Sequence, residues 1–269
     1  MPPSRLTRPG RTLVLKPVRP SIGLTVEYRR QLLALIDRMH KETLREIEAA
    51  YRDDPPVLAT DTATPADVFR RVMTRLGNIW EKRFDLAAPR LAEWFSQKAA
   101  NRSDKRLKQI LRDGGISVKF QASRAVRDVM AASVNENVGL IKSIQQQYHQ
   151  RVSTAVMQSA MTGRDIGALT RELSQGYGIT QRRAALIARD QNNKMTSVIE
   201  RARQEEVGIT EAIWLHSGGG RHPRPEHVAF SGKRYDIKKG AYLEGKWTWP
   251  GFEINCRCSC RAVIPGLDN

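Results

Sequence analysis

The spacing of apolar residues changes once along this chain, near Val207, and this change constrains the fold more than any other feature. Before Val207, apolar residues recur at helical spacing over long stretches, with charged residues on the opposite face. After it, residues 211–217 follow a period of two, which places Ala212 and Trp214 on one face of a strand and Ile213 on the other. We therefore predict a mainly α protein, in which a long helical N-terminal region is followed by a small C-terminal α+β module with a short antiparallel sheet.

The helical region divides at Pro, Gly and polar stretches. We predict one helix over residues 26–51 and a second that begins at Thr64-Pro65, where Pro occupies the first helical position. Residues 121–161 keep helical spacing without Pro, which indicates one very long helix or two helices with a break near Tyr148. Further along, the pattern predicts a short helix over 165–174, a connection at 176–179, and a helix capped by Thr180 that runs to about Glu206.

The C-terminal module contains the predicted strands. Short strands near residues 233–237 and 258–264 would pair with the strand at 211–217, and turns are predicted at 218–220 and at Gly245. The chain therefore divides into a flexible basic arm (1–20), a helical region (21–160) and the module (161–269).

The charge balance predicts attraction to a polyanion. The chain has 45 Lys and Arg against 28 Asp and Glu, which gives a net charge of +17 and a pI of about 10.3. Such a surplus most often indicates nucleic acid as the partner, sometimes an acidic protein or a membrane surface, and otherwise only a soluble basic surface. No segment has the apolar length of a membrane span, and the basic arm lacks the apolar core of a signal peptide.

All three cysteines lie within five residues near the C-terminus. If this segment is extended, Cys256, Cys258 and Cys260 share one face, either as metal ligands or as buried small hydrophobic residues. A structural zinc could use Cys256 and Cys258 with His227 or His222, although the spacing is C-x-C rather than the usual C-x2-C. We expect no other cofactor. Clustered cysteines without further pairs favour a reducing compartment.

The hairpin around His222 and His227 also contains Arg and Glu, the residue types of acid–base and phosphate chemistry. However, the chain has no phosphate-binding loop and no nucleophile elbow, and no complete catalytic set is visible. We expect His227 to be hydrogen-bonded to the cysteine segment, and we expect no enzymatic activity. The alternatives are a metal-dependent nuclease or other enzyme that uses the His/Cys module, and a general nucleic-acid-binding regulator.

A series of short motifs in residues 160–265 resembles the Mu F-like minor head protein family of tailed bacteriophages. The motifs are, in order, Arg183-Ala184, Ile187-Ala188-Arg189-Asp190-Gln191, Gly208-Ile209, Trp214, Arg224, His227, Gly232, Pro250-Gly251 and Asn255-Cys256-Arg257-Cys258. Many relatives carry Arg-Thr-Glu after the Ile-Ala pair, so the acidic residue of this chain stands one position earlier.

This resemblance implies a minor head (capsid) protein that acts in head morphogenesis and catalyses no reaction. Its implied partners are the portal protein, other head proteins and double-stranded DNA bound without sequence preference; no membrane partner is implied. Its implied location is the head interior or portal region of the virion, and the host cytoplasm during assembly. The helices of residues 21–160 would then be available to dock onto portal subunits.

The chain departs from its relatives at a pattern that resembles a zinc site. Some relatives have C-x-x-C in the hairpin and H-x-x-C near the end, and the corresponding residues here are Arg224, His227, Glu253 and Cys256. Two of four ligands would be replaced. We expect a salt bridge between Arg224 and Glu253 to hold the hairpin to the C-terminal segment in their place.

Overall fold

The computed structural model describes residues 12–53, 65–121, 123–162, 165–220 and 222–265. These residues form four long helices and a short fifth one. They are α1 (Ile22–Asp53), α2 (Pro65–Asp113), α3 (Arg124–Met161), α4 (Ile166–Glu206) and α5 (Pro225–Ala229). No helix in these ranges combines the length and the apolar character needed to cross a membrane. The long helices precede the sheet region, which confirms the predicted fold class.

Helices α3 and α4 are each continuous at a position where the apolar spacing allowed or predicted a break. Helix α3 is continuous through Tyr148, so the single-helix alternative is correct. Helix α4 is also continuous, and the predicted connection at 176–179 is wrong. Thr180 does not cap a helix, because it lies inside α4 and its hydroxyl donates to the Gly176 carbonyl at 2.9 Å. A Cβ on Gly176 would lie 3.2 Å from Arg151 Cδ, so this glycine permits close packing rather than a turn.

Six strands form two antiparallel sheets. They are β1 (Leu13–Val14), β2 (Glu211–Leu215), β3 (Arg234–Asp236), β4 (Ala241–Leu243), β5 (Lys246–Thr248) and β6 (Ser259–Ile264). The larger sheet has the order β1-β6-β2-β3, and β4 pairs with β5. Strands β2, β3 and β6 confirm the three predicted strands. The β4–β5 hairpin was predicted only as its turn, where Gly245 has φ +76°.

The described part of the predicted arm contains an edge strand of the larger sheet. Leu13 pairs with Ile264 and Val14 with Val263, so residues near the start of the chain add an edge strand to the sheet. Leu15 and Val18 are buried, and Arg261 Nε donates to the Leu15 carbonyl at 3.2 Å. These two side chains are buried because this basic segment also carries apolar residues, which complete the core beside the sheet. Residues 1–11 of the predicted arm lie outside the described residues.

The chain divides into two compact units. Unit 1 contains residues 1–25, 93–134 and 189–269, and unit 2 contains residues 26–92 and 135–188. The core of unit 1 surrounds Trp214 and includes side chains from the sheet, α2 and the cysteine segment. Among them are Leu107, Leu111, Ile209, Ile237, Cys256, Cys258 and Cys260. Unit 2 has its own buried polar contacts, such as His40 Nδ1 to the Tyr148 hydroxyl at 2.8 Å. The predicted boundaries at residues 20 and 160 stay predictions.

Candidate functional site

Three of the predicted His/Cys residues meet at one buried cluster in unit 1. His227 lies on α5, which begins with Pro225 at its first position, and its side chain is 2% exposed. Its Nδ1 lies 3.6 Å from Cys256 Sγ and 3.8 Å from Cys258 Sγ. The prediction that His227 contacts the cysteine segment is therefore confirmed. Cys260 is buried elsewhere, with its Sγ 3.9 Å from Gln204 Nε2.

The two clustered thiols have opposite electrostatic surroundings. A hydrogen bond from the Cys258 thiol lowers the pKa of the Cys256 thiol, whereas burial raises it. The backbone N–H groups of Cys258 and Gly251 also lower this pKa, as does the nearby His227. The Gly251 N–H reaches Cys256 Sγ at 3.3 Å. The hydrogen bond to Cys256, together with burial, raises the pKa of the Cys258 thiol. Their mutual hydrogen bond therefore favours loss of a proton from Cys256 over loss from Cys258.

The same three side chains could supply three ligands to a zinc ion. Their ligand atoms all lie within 4.8 Å of one another. Zn–N bonds of about 2.0–2.1 Å and Zn–S bonds of about 2.3 Å require N···S separations of roughly 3.5–3.6 Å. The observed separations of 3.6 and 3.8 Å are close to that requirement. A zinc ion bound here would join α5 to the segment that precedes β6.

The fourth predicted ligand does not join this cluster. His222 is exposed, and it lines a cavity of about 440 Å³ that His227, Cys256 and Cys258 also line. His216, Arg224 and Arg257 border the same cavity. The structure thus brings together three of the four residues predicted to bind metal, while His222 lies at the cavity's edge in an exposed loop.

A second contact set joins α4 to the cysteine segment. Arg189 Nη2 donates to Asn255 Oδ1 at 2.6 Å, and the Asn255 N–H donates to Asp190 Oδ2 at 3.2 Å. Asn255 has φ +62°, a left-handed conformation that Asn tolerates better than most residues. Asn193 Nδ2 also donates to the Cys256 carbonyl at 3.0 Å. We call Arg189, Asp190 and Asn255 the clasp.

The clasp carboxylate is partly desolvated. Burial raises the pKa of Asp190, although the Asn255 N–H and the cations of Arg189 and Arg257 act against this. The clasp residues stand far apart in the sequence but belong to the same predicted motif series. Their contact indicates that this series describes a packing arrangement between a helix and a loop.

Arg224 holds the hairpin to the C-terminal segment, but not through the predicted partner. Its Nε pairs with Glu244 at 3.1 Å and its Nη2 donates to the Ile254 carbonyl at 3.1 Å. Glu253 instead pairs with Lys246 at 2.8 Å. The predicted Arg224–Glu253 salt bridge is therefore wrong. The left-handed turn residue Glu244, with φ +51°, brings the tip of the β4–β5 hairpin to Arg224.

The remaining motif residues are structural. Trp214 is fully buried, and its ring meets the His227 ring edge-on with centroids 5.0 Å apart. Gly232 has φ +86°, and its N–H donates to the Trp214 carbonyl at 2.8 Å. Sequence reasoning missed Glu244 and Asn193, and only the turn predicted at Gly245 lies next to one of them.

Comparison with known proteins agrees with the predicted resemblance. Residues 150–261 match the family model described as "Phage Mu protein F like protein", close to the predicted range of 160–265. A Haemophilus influenzae protein (strain ATCC 51907 / DSM 11121 / KW20 / Rd) described as "Uncharacterized protein" is 28% identical over 271 residues. The alignment covers 97% of this chain but 57% of that protein, so the chain spans little more than half of its relative. No solved structure matches the chain. Residues 150–261 are therefore similar to the Mu F-like phage protein family.

Proposed function

We propose that this chain is a minor head (capsid) protein of a tailed phage that acts in head morphogenesis, associates with the portal and with packaged DNA, and catalyses no reaction. The observation that carries this proposal is the Mu F-like match over residues 150–261. The motif residues of that region meet in one place, where the clasp and the His227 cluster join α4, α5 and the segment before β6. A rigid module of this kind suits an assembly component.

DNA is proposed as a partner because of the charge. A protein of net charge +17 that lies near packaged DNA would exchange condensed counterions for its own Lys and Arg side chains. This term is independent of base sequence, so the expected binding is salt-sensitive and has little base preference. A nucleic-acid-binding regulator would instead show affinity for one sequence well above its non-specific background.

The non-catalytic assignment is supported by how the polar side chains of the hairpin are used. His227 is buried between Trp214 and the two thiols. Arg224 pairs with Glu244 and with a backbone carbonyl. Groups engaged in this way hold the module together.

The head assignment predicts that the protein is present in assembled particles. We expect mass spectrometry of procapsids and virions, from the phage or induced prophage that encodes the chain, to detect it in few copies per particle. We also expect it to co-purify with portal oligomers. Particles collected after DNA release would show whether the protein leaves with the DNA. Absence from both procapsids and virions would overturn the proposal.

A structural zinc is a second proposal, favoured by the N···S separations at the cluster. We expect the purified full chain to retain about one zinc per molecule, measured by elemental mass spectrometry after dialysis. Cys256→Ser and His227→Ala should lose it, because each removes one of three clustered ligands. Cys260→Ser is the matched control, since it removes a buried thiol outside the cluster.

Two results would contradict the zinc proposal. One is a metal-free wild-type protein that takes up no zinc on titration, and the other is equal zinc content in all three variants. A metal-dependent nuclease would further cleave DNA in the presence of a divalent cation and lose that activity in His227→Ala. Cleavage of this kind would replace the non-catalytic proposal.

A further inference from the structure

A basic cavity of about 530 Å³ lies in unit 1 at the beginning of α1. Four cationic side chains line it: Lys16, Arg19, Arg102 and Arg106. They come from two parts of the chain that lie some eighty positions apart, and none of the described residues that line the cavity carries a carboxylate. A concave surface lined by charges of one sign focuses the electrostatic field and raises the local concentration of counter-ions. The cavity therefore attracts anions more strongly than scattered surface cations would.

The end of a long helix adds to this potential. Helix α1 has 32 residues and no acidic residue in its first turn, so no side chain there offsets the positive end of its dipole. Ser21 caps it, accepting a hydrogen bond from the Leu24 N–H at 3.3 Å. Arg102 Nη1 donates to the same hydroxyl at 2.7 Å. This contact holds one guanidinium group beside the first turn of the helix.

The floor of the cavity is ordered and polar. Asn192, which is 1% exposed, donates from Nδ2 to the Ser21 carbonyl at 2.9 Å and to Thr25 Oγ1 at 2.8 Å. The Thr196 hydroxyl donates to the Asn192 carbonyl at 2.8 Å. These contacts tie α4 to the start of α1, so the base of the cavity is already formed before any ligand arrives.

Three of the four cations are available to a ligand. Within the described ranges, Lys16, Arg19 and Arg106 are exposed and form no ion pair. This differs from Arg203 in the same unit, which pairs with both Asp104 and Glu206 at 2.7 Å. The common explanation for unpaired surface cations is simple hydration. Here the cations surround a preformed cavity at a helix N-terminus, and that arrangement favours an oxyanion ligand.

We propose that this cavity binds a phosphate group, held by Arg19, Arg102 and Arg106 at the N-terminus of α1. The ligand expected from the proposed function, on which this inference rests, is a backbone phosphate of double-stranded DNA. A free phosphate or pyrophosphate has the same recognition chemistry. The two sources are distinguished by the experiment below.

The test compares two double variants of the full chain. Arg19→Gln/Arg106→Gln removes two cavity cations, and Arg29→Gln/Arg30→Gln removes two exposed cations of α1 that do not line the cavity. Affinity for a short fluorescent DNA duplex is measured by anisotropy at several NaCl concentrations. Each phosphate contact contributes about 0.9 to the slope of log K against log salt, so the cavity variant should lower the slope by roughly 2. We expect on the order of a tenfold or greater loss of affinity near 0.1 M salt.

The second arm uses inorganic phosphate and pyrophosphate, titrated into the same proteins by calorimetry. Circular dichroism checks that each variant is folded, and Arg19→Lys/Arg106→Lys, which keeps both charges, should retain most of the binding. A loss of DNA affinity specific to the cavity variant supports the proposal with DNA as the source. If the cavity variant loses affinity only for phosphate or pyrophosphate, the cavity is a phosphate site but DNA is not its ligand.

Equal binding by the cavity variant and the control variant, in both arms, overturns the proposal. That result leaves the head assignment intact if the protein is found in particles. Conversely, the cavity could be shown to bind phosphate while the protein is absent from particles. That combination would support this inference and contradict the proposed function. The two failures are therefore distinguishable.

Discussion

Trp214→Ala is expected to destabilise unit 1 by about 3–5 kcal/mol, the usual cost of removing a fully buried tryptophan. Trp214 lies on β2, the strand between β3 and β6, and its side chain is at the centre of the unit 1 core. Its ring makes edge-on contacts with His227, Phe230 and Tyr235 at 5.0, 5.9 and 6.0 Å. Truncation would leave a cavity that these neighbours cannot fill without moving the strands. Hydrogen exchange of the β2 and β6 amides and urea unfolding both measure the loss.

Trp247→Ala is the matched control for this prediction. Trp247 lies on β5 in the same unit, but it is 56% exposed and contacts Tyr242, which is 60% exposed. Its truncation removes the same atoms without opening a core cavity, so we expect a loss below about 1 kcal/mol. Similar losses in the two variants would show that Trp214 does not organise the core.

The change from helices to strands could be predicted from the sequence because apolar periodicity depends on local spacing alone. The strands at 211–217 and 258–264 have apolar faces that a sheet must bury, and the structure pairs them as β2 and β6. The contact between Arg189 and Asn255 was not predicted, since no local pattern joins residues 66 positions apart.

Errors occurred where tertiary packing overrides local propensity. Gly176 resembles a helix break, but the close approach of Arg151 explains why a glycine occurs within a continuous helix. Strand β1 has two residues, too few to show any alternation, and only its pairing with β6 makes it a strand. The resemblance predicts Glu253 as the partner of Arg224, whereas a left-handed turn brings Glu244 there instead. Such outcomes depend on distances between segments that sequence spacing does not specify.

The sheet region has a second buried polar cluster, centred on Glu200 of α4. This carboxyl is 5% exposed and accepts a hydrogen bond from Gln204 Nε2 at 3.0 Å. Burial raises its pKa to about 8, and hydrogen bonds from neighbouring groups only partly oppose the shift. Cys260 and Tyr235 lie close by, and burial raises the pKa of each. Near neutral pH the cluster is therefore favoured in its uncharged form.

The raised pKa makes the stability of unit 1 depend on pH. The folded carboxyl binds its proton up to about pH 8, whereas the unfolded one releases it near its ordinary value of 4.5. The free energy of unfolding should therefore decrease as pH rises through this window, by up to about 1.4 kcal/mol per pH unit. Glu200→Gln cannot ionise and should lose this slope. We expect it to match the wild type near pH 4.5 and to exceed its stability by several kcal/mol at pH 8.

Urea unfolding at a series of pH values measures the difference between the two proteins, which cancels the titration of all other groups. Glu205→Gln is the control, because it removes the same charge from an exposed position on α4 that pairs with Arg201 at 3.9 Å. We expect that variant to follow the wild-type pH dependence within about 0.5 kcal/mol. If Glu200→Gln instead runs parallel to the wild type at every pH, the Glu200 carboxyl is ionised in the folded protein. The buried cluster would then hold a charge that is stabilised by hydrogen bonds from Gln204, Cys260 and the Val18 backbone.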